Sequence, residues 1–301
     1  MKTAAKKMKM NRKKVRVFDV VNGFLMVLLS LVFLVPFLMV ISASLSDNTA
    51  LQRDGISLIV KGFTFEGYAF LFNAMKDTFI RSMLVSLFVS VTTATLAMIV
   101  ATFAAFALTR KVLPGRKFFN VYYLIPMFFS GGMIPVYLIV RGIGLYNTLW
   151  ALIVPSIGGM YFILLLRNYM SAIPRTLEEA AELDGANDLQ VFIHVIMPVT
   201  LPMMVSIWLM SFTSKWNDWA SSLLYLGANN QKLWTLQYVL KQMIADMQAL
   251  FGSSSSGSVS DAPLISAKNA GIVVSVIPLI VVCPLVQRFY ISGVMAGSIK
   301  G

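Results

Sequence analysis

Long apolar runs, separated by shorter polar segments, set the organisation of this chain. Six of them approach the roughly 20 residues that a helix rising about 1.5 Å per residue needs to cross a bilayer core about 30 Å thick. They cover Val20 to Ile41, Met83 to Leu108, Phe118 to Val140, Leu149 to Leu166, Val199 to Leu224 and Ala270 to Tyr290. The pattern predicts an all-α membrane protein with six transmembrane helices.

Small and helix-breaking residues are not scattered within these runs. In the second, Ser82, Ser86, Ser90 and Ala94 recur at every fourth position, as do Ala97, Ala101 and Ala105, and such a face lets backbones approach closely in lipid. Packing inside one subunit is the favoured reading of that face, with a subunit interface as the alternative. The third run is interrupted by Pro126, Gly131, Gly132 and Pro135, the fourth by Pro155, Gly158 and Gly159. Such breaks free backbone groups that lipid cannot satisfy, so they belong beside a cavity or a neighbouring helix.

The polar segments differ in kind. Ser44 to Arg81 is moderately polar, while residues 227–267 form a long loop with a flexible tract from Gly252 to Ser258. Within that loop Leu233, Leu236, Leu240, Met243, Ile244, Met247 and Leu250 share one helical face, which predicts an amphipathic helix that packs on the spans or docks a partner. Another segment, Arg167 to Pro198, collects Glu178, Glu179, Glu182, Asp184 and Asp188 and reads as helix, turn, helix. Thr176 and Glu179 fit a capping box. Gly185 can end the first helix in the left-handed conformation, and Asn187 or Asp188 can start the second. Leu189, Phe192, Ile193 and Ile196 then form an apolar stripe, suited to the membrane interface or to a groove in a partner.

Composition supports the membrane reading: 57% of the 301 residues are hydrophobic, 13% are charged, and the mean hydropathy is +0.76, more apolar surface than one soluble core would use. The net charge of +12 does not imply nucleic acid, because 8 of the 25 basic residues, from Lys2 to Arg16, stand directly before the first run. No basic stripe interleaved with aromatic residues follows. The remaining basic residues favour an orientation with both termini in the cytoplasm. The first run exceeds the roughly 7 to 15 apolar residues of a secretory signal and is expected to stay as a span.

Candidate chemistry is sparse. The single cysteine, Cys283, allows neither an internal disulfide nor a Cys-based zinc site and is expected to be a buried packing residue. No Asp, Glu or His stands in the middle of a run, so no proton relay is legible. A Gly-rich Lys-Ser or Lys-Thr loop for nucleotide phosphates is missing, and His194, the only histidine, leaves metal catalysis without ligands. The expectation is a chain with no catalytic residues, cofactor or metal of its own.

Glu179-Ala180-Ala181, Asp184-Gly185-Ala186, then Phe192, Ile196 and Pro198 resemble the EAA loop of ABC importer permeases. The likeness covers nearly the whole chain, through Phe65-Glu66-Gly67-Tyr68, Ala105 to Arg110 with Pro114-Gly115-Arg116, and Gln287-Arg288-Phe289 to Lys300-Gly301. It is nearest to the maltose-type inner permeases of carbohydrate importers. Met197 departs from the Leu of many members, a volume-conserving change. The resemblance implies the type I ABC importer permease fold, with a basic N-terminus at 1–16, a transmembrane domain at 17–295 and a cytoplasmic tail at 296–301.

It further implies that residues 167–198 form a coupling helix seated in a groove of a separate ATPase. Glu178, Glu179, Ala180, Ala181, Asp184, Gly185, Ala186, Phe192, Ile196 and Pro198 would carry the coupling, and the tail would reach into the ATPase dimer. The implied partners are a second, different permease in a heterodimer, two ATPase subunits that bind ATP and Mg, an extracytoplasmic solute-binding protein and an oligosaccharide, in the bacterial cytoplasmic membrane. A homodimer is the minor alternative.

At the outer end of the fifth run, Lys215-Trp216-Asn217-Asp218-Trp219 sets aromatic faces beside hydrogen-bonding groups. Tryptophan there is either an interfacial anchor or, since Asn217 and Asp218 are costly in lipid, part of a water-filled path. Trp216, Asn217, Asp218, Trp219 and Tyr137 are therefore the substrate-path candidates, and similar segments occur in the branch serving complex oligosaccharides. Competing readings are an ABC permease for a sugar phosphate, amino acid or peptide, and a secondary transporter or channel, which would need ion-coordinating or titratable groups at mid-depth.

Overall fold

An apolar segment in lipid has to satisfy each backbone N–H and C=O internally, which selects helices. A computed structural model describes residues 17–110, 112–129, 131–227, 230–252 and 263–297. Its described residues are mostly helical, and the β-contact among them is an isolated antiparallel bridge between Ser46 and Phe63. The basic segment 1–16, most of the Gly/Ser tract and tail residues 298–301 lie outside the described residues.

The long helices are α1 (Val17–Ser44), α4 (Lys76–Thr109), α11 (Met197–Trp216) and α14 (Leu264–Gly297). Between α1 and α4 come the short helices α2 (Asn48–Asp54) and α3 (Glu66–Ala69). The third expected span is two helices, α5 (Arg116–Phe128) and α6 (Met133–Gly142), broken around Gly131 and Gly132. The fourth is also two, α7 (Trp150–Ile157) and α8 (Met160–Ser171), bent by 41° at Gly158 and Gly159. Four described helices are long and apolar enough to cross a bilayer, or up to six spans if each bent pair counts as one.

The fifth span departs from the expected Val199 to Leu224. The helix that carries it begins earlier, as α10 (Asp188–Val191) followed by a π-helical turn at Phe192–Ile196, and runs on through α11 to Trp216. In the turn the Met197 N–H bonds to the Phe192 carbonyl, a wider spacing than the α-helical one, just before Pro198 removes a donor. The span stops early because Asp218 accepts from the Ser221 N–H and so caps a new helix, α12 (Ala220–Tyr225). The amphipathic segment forms α13 (Leu236–Gly252), with Leu236, Leu240 and Met243 buried and Leu233 left on the preceding 3₁₀ turn.

Helix α4 is the centre of the bundle and packs on α7, α8 and α11. Its small-residue face, from Ser82 to Ala105, is buried within this one chain, which settles the choice of reading for that face. Ser86 Oγ there accepts the Leu236 N–H at 2.7 Å, satisfying an orphan donor at the start of α13. By contrast α1 buries little of its apolar surface and meets the rest of the chain chiefly through α14. Cys283, on α14, is half-buried rather than buried.

One close approach fixes α3 to α14. A Cβ on Gly67 would lie 2.6 Å from the Ser266 carbonyl carbon and 2.8 Å from the Ala267 nitrogen, backbone atoms that cannot swing aside. Gly67→Ala is therefore expected to cost about 1 to 3 kcal/mol by overpacking. It should lower the thermal midpoint of the purified protein in detergent, and an unchanged midpoint would show that the two helices are free to separate.

Candidate coupling segment and polar cavity

The acidic segment folds as α9 (Thr176–Leu183), a tight turn and α10. Three backbone features make the turn rigid. Gly185 takes φ +85°, the left-handed region that suits glycine. The Ala186 N–H reaches the Ala181 carbonyl and the Gly185 N–H reaches the Glu182 carbonyl, both at 3.0 Å, the double closure of a Schellman motif. Asn187 Oδ1 accepts the Gln190 N–H while Gln190 Oε1 accepts the Asn187 N–H, each at 2.9 Å, a capping box that starts α10 at once. The box expected at Thr176 and Glu179 does not form. Thr176 lies inside α9, and Arg175 at the cap position is already helical and offers no side-chain bond.

The structure divides the coupling candidates into two groups. Phe192 and Ile196 are fully buried among residues of α4, α8 and α11, with Ala181 and Ala186 packed against the same cluster. The Phe192 ring sits 4.5 Å from that of Phe106 and 5.1 Å from that of Phe103. Glu179, Ala180, Asp184, Gly185 and Pro198 are exposed. The expected single stripe on α10 is thus split: Phe192 and Ile196 turn inward, while Leu189 and Ile193 stay outside with Leu177 and Leu183. Leu183, at the tip of α9, is 89% exposed, unusual for a leucine beside a rigid turn.

Arg110, just beyond α4, ties α9 to the bundle, a link between residues 68 positions apart. Its Nη1 donates to Glu178 Oε2 at 2.6 Å with both side chains mostly buried, and its guanidinium lies 4.2 Å over the Phe106 ring. Nε and Nη2 of the same group are buried without a partner. Arg116 Nε donates to the Leu108 carbonyl nearby. A polar cavity of about 400 Å³ lies between these groups and Glu179, Glu182 and Asp188.

The substrate-path candidates are not all brought together. Trp216 is buried where α11 meets α14, outside the lining of the small cavity: its indole N–H donates to the Ser275 carbonyl at 3.1 Å, and it continues a stack through Phe212 to Trp208. The helical i, i+4, i+8 spacing of these three rings accounts for the stack. Asn217 is exposed and bonds back to the Thr213 carbonyl, and Trp219 lies beneath Lys241, 4.9 Å from Nζ to ring centre. Tyr137 is stacked on Tyr225 and meets Tyr146 edge-on.

Asp218 faces inward. A second cavity, of about 140 Å³, is lined by Thr93 of α4, Ser156 of α7, Phe162 of α8, Ser211, Ser214 and Lys215 of α11, and Asp218. Ser156 and Phe162 flank the Gly158–Gly159 break, so the bend opens onto a polar space, as irregular backbone at depth requires. Lys215 Nζ bonds to Asp218 Oδ2 at 2.8 Å, and its side chain is 7% exposed. Arg110 and Lys215 were not among the sequence candidates. For Lys215 a signal existed, a lysine close to the end of an apolar run; for Arg110 the partner is too distant in sequence to be read.

Comparison with known proteins gives a consistent picture. Residues 114–294 match the family described as binding-protein-dependent transport system inner membrane component. The chain is 35% identical to the polygalacturonan/rhamnogalacturonan transport system permease protein YtcP of Bacillus subtilis (strain 168), covering 96% of this chain and 100% of that protein. It is 33% identical to protein LplC of the same organism, covering 97% of each. Among solved structures, a chain from a bacterial ABC transporter involved in the import of the acidic polysaccharide alginate superimposes with a TM-score of 0.79 at 30% identity, covering 91% of this chain and 97% of that one.

Proposed function

This chain belongs to the family of binding-protein-dependent transport system inner membrane components, and from that premise we propose that it forms half of the pathway of an ABC importer that carries an oligosaccharide. The observation that supports this reading most directly is the α9–α10 turn. It is doubly closed, held from behind by Phe192, Ile196 and the Arg110–Glu178 pair, and it presents exposed Leu183, Leu189 and Ile193. Apolar side chains on a stiff turn are what a groove in another subunit receives.

In this reading the α9 side faces the cytoplasm and both termini lie there. Two ATPase subunits bind ATP and Mg and hydrolyse the nucleotide, and this chain does no chemistry itself. Glu179, Ala180, Asp184 and Gly185 meet the ATPase, while Glu178, Ala181, Ala186, Phe192 and Ile196 carry its movement into α4, α8 and α11. A second, different permease completes the pathway, and a solute-binding protein delivers the sugar from outside. The names of the relatives, which transport polygalacturonan/rhamnogalacturonan or import alginate, support a saccharide as cargo.

The test is reconstitution of the complete complex in liposomes with its ATPase and binding protein. Oligosaccharide uptake should require ATP, and Leu183→Asp should abolish ATPase retention on the permease while leaving its thermal midpoint in detergent within about 1 °C, since the side chain is exposed and surface changes usually cost under about 0.5 kcal/mol. Uptake that proceeds without ATP, or full ATPase retention by the variant, would refute the reading.

A further inference from the structure

The cavity at the Gly158–Gly159 bend holds more hydrogen-bond donors than the protein uses. Asp218 uses most of its acceptor capacity: Oδ1 accepts the Ser221 N–H, and Oδ2 accepts both Lys215 Nζ and the Ser221 hydroxyl, three of roughly four lone-pair sites. Lys215 uses less of its donor capacity. An ammonium has three N–H groups, and among the described residues its hydrogen-bond partner is Asp218. Thr93, 1% exposed, has no partner for its hydroxyl, although a threonine inside a helix ordinarily bonds back to the preceding turn, as Thr102 and Thr200 do here.

Spare buried donors in one cavity, the remaining N–H groups of Lys215 and the Thr93 hydroxyl, are costly unless something else accepts from them. Ser156, Ser211 and Ser214 add hydroxyls to the same wall, and Phe162 supplies an apolar face. The space of about 140 Å³ corresponds to roughly five waters, too small for an oligosaccharide but enough for one polar substituent and part of its ring. Thr93 lies halfway along α4 and Lys215 in the last turn of α11, so the cavity joins the middle of one helix to the outer end of the other. A lysine there is expensive in lipid and marks a solute pathway.

We propose that Lys215 and Thr93 form a subsite that holds the carboxylate of an acidic sugar during its passage, a proposal that rests on the importer reading given above. The donor excess sets the choice of charge. A neutral sugar hydroxyl would look for acceptors as well as donors, and Asp218 keeps only about one acceptor site, on Oδ1, against the spare donors of Lys215 and Thr93. A carboxylate is acceptor-only, can take bonds from Lys215 and Thr93 together, and forms stronger bonds to a cation than a hydroxyl does. The remaining serine hydroxyls, which can donate or accept, suit the ring hydroxyls beside the carboxylate.

The experiment uses the complete complex in proteoliposomes and two labelled probes, tri-galacturonate and the same trisaccharide with its carboxyl groups reduced to alcohols. Lys215→Gln is expected to lower uptake of the acidic probe by tenfold or more and of the reduced probe by less than twofold, with Lys215→Arg restoring most of the acidic uptake. Because loss of the lysine leaves Asp218 unpaired, Thr93→Val provides a second variant that keeps the ion pair, with an expected selective loss of about threefold. Equal loss of both probes in both variants, or no loss of either, would overturn the subsite. A wild-type complex that carries only the reduced probe would overturn the subsite alone, whereas one that carries neither would overturn the oligosaccharide reading with it.

Discussion

Gly185→Val is expected to leave the protein inserted and folded while reducing ATP-driven uptake by about five- to thirtyfold. The residue holds φ +85° with no atom within 4 Å of an added Cβ, so space is available and only the backbone objects. An L-residue in the left-handed region costs about 1 to 2 kcal/mol, a β-branched one more, and that is enough to shift a two-state turn by a factor of about 5 to 30. The cost falls on the bonds from Gly185 to Glu182 and from Ala186 to Ala181, which fix the angle between α9 and α10. Asparagine adopts this conformation more readily, so Gly185→Asn should retain most uptake. The measurement is transport by each variant at equal amounts of inserted permease. Full uptake by the valine variant would remove the turn from coupling, and equal loss in both variants would point to side-chain bulk instead of backbone geometry.

Phe192→Ala should produce the largest loss of stability. The ring is fully buried, packs on Phe103 and Phe106, and stands between the acidic segment and the cluster of α4, α8 and α11. Deleting a buried phenylalanine costs about 3 to 5 kcal/mol in lost contacts and cavity, so the thermal midpoint of the detergent-purified protein should fall clearly. Phe192→Leu, which refills most of the volume, should recover much of the difference. If the alanine variant melts like the wild type, the acidic segment is not anchored through this ring. The contrast with Leu183→Asp separates an inward anchor from an outward contact on the same short unit.

Much of the architecture was legible because lipid imposes a simple rule on apolar segments. The six runs correspond to α1, α4, the α5–α6 pair, the α7–α8 pair, α11 and α14, and the four-residue repeat on α4 correctly marked a buried face. Periodicity could not tell which side of α10 faces in. Leu189, Phe192, Ile193 and Ile196 are alike in hydropathy, and only the position of Phe103 and Phe106, some 90 residues earlier in the chain, draws Phe192 and Ile196 inward. Apolar Leu223 and Leu224 extend the fifth run beyond the end of α11, whereas the bond that the Ser221 N–H donates to Asp218 Oδ1 starts a separate helix. The Trp-Asn-Asp-Trp motif does not show that Trp216 is in register with Trp208 and Phe212, which stacks it with those two rings.

Helices α4 and α11 lie side by side over much of their length, joined by the bond from Trp208 Nε1 to Thr95 Oγ1. At one end they frame the cluster that grips Phe192; farther along, the same pair supplies Thr93 and Lys215 to the lining of the small cavity. The two share one seam, although Pro202 inside α11 and the π-helical turn before it are points where that helix can bend. On the proposed reading, a tilt applied at the acidic end would be carried along this seam to the cavity lined by Thr93 and Lys215, and grip on a passing solute would become a geometric by-product of the stroke.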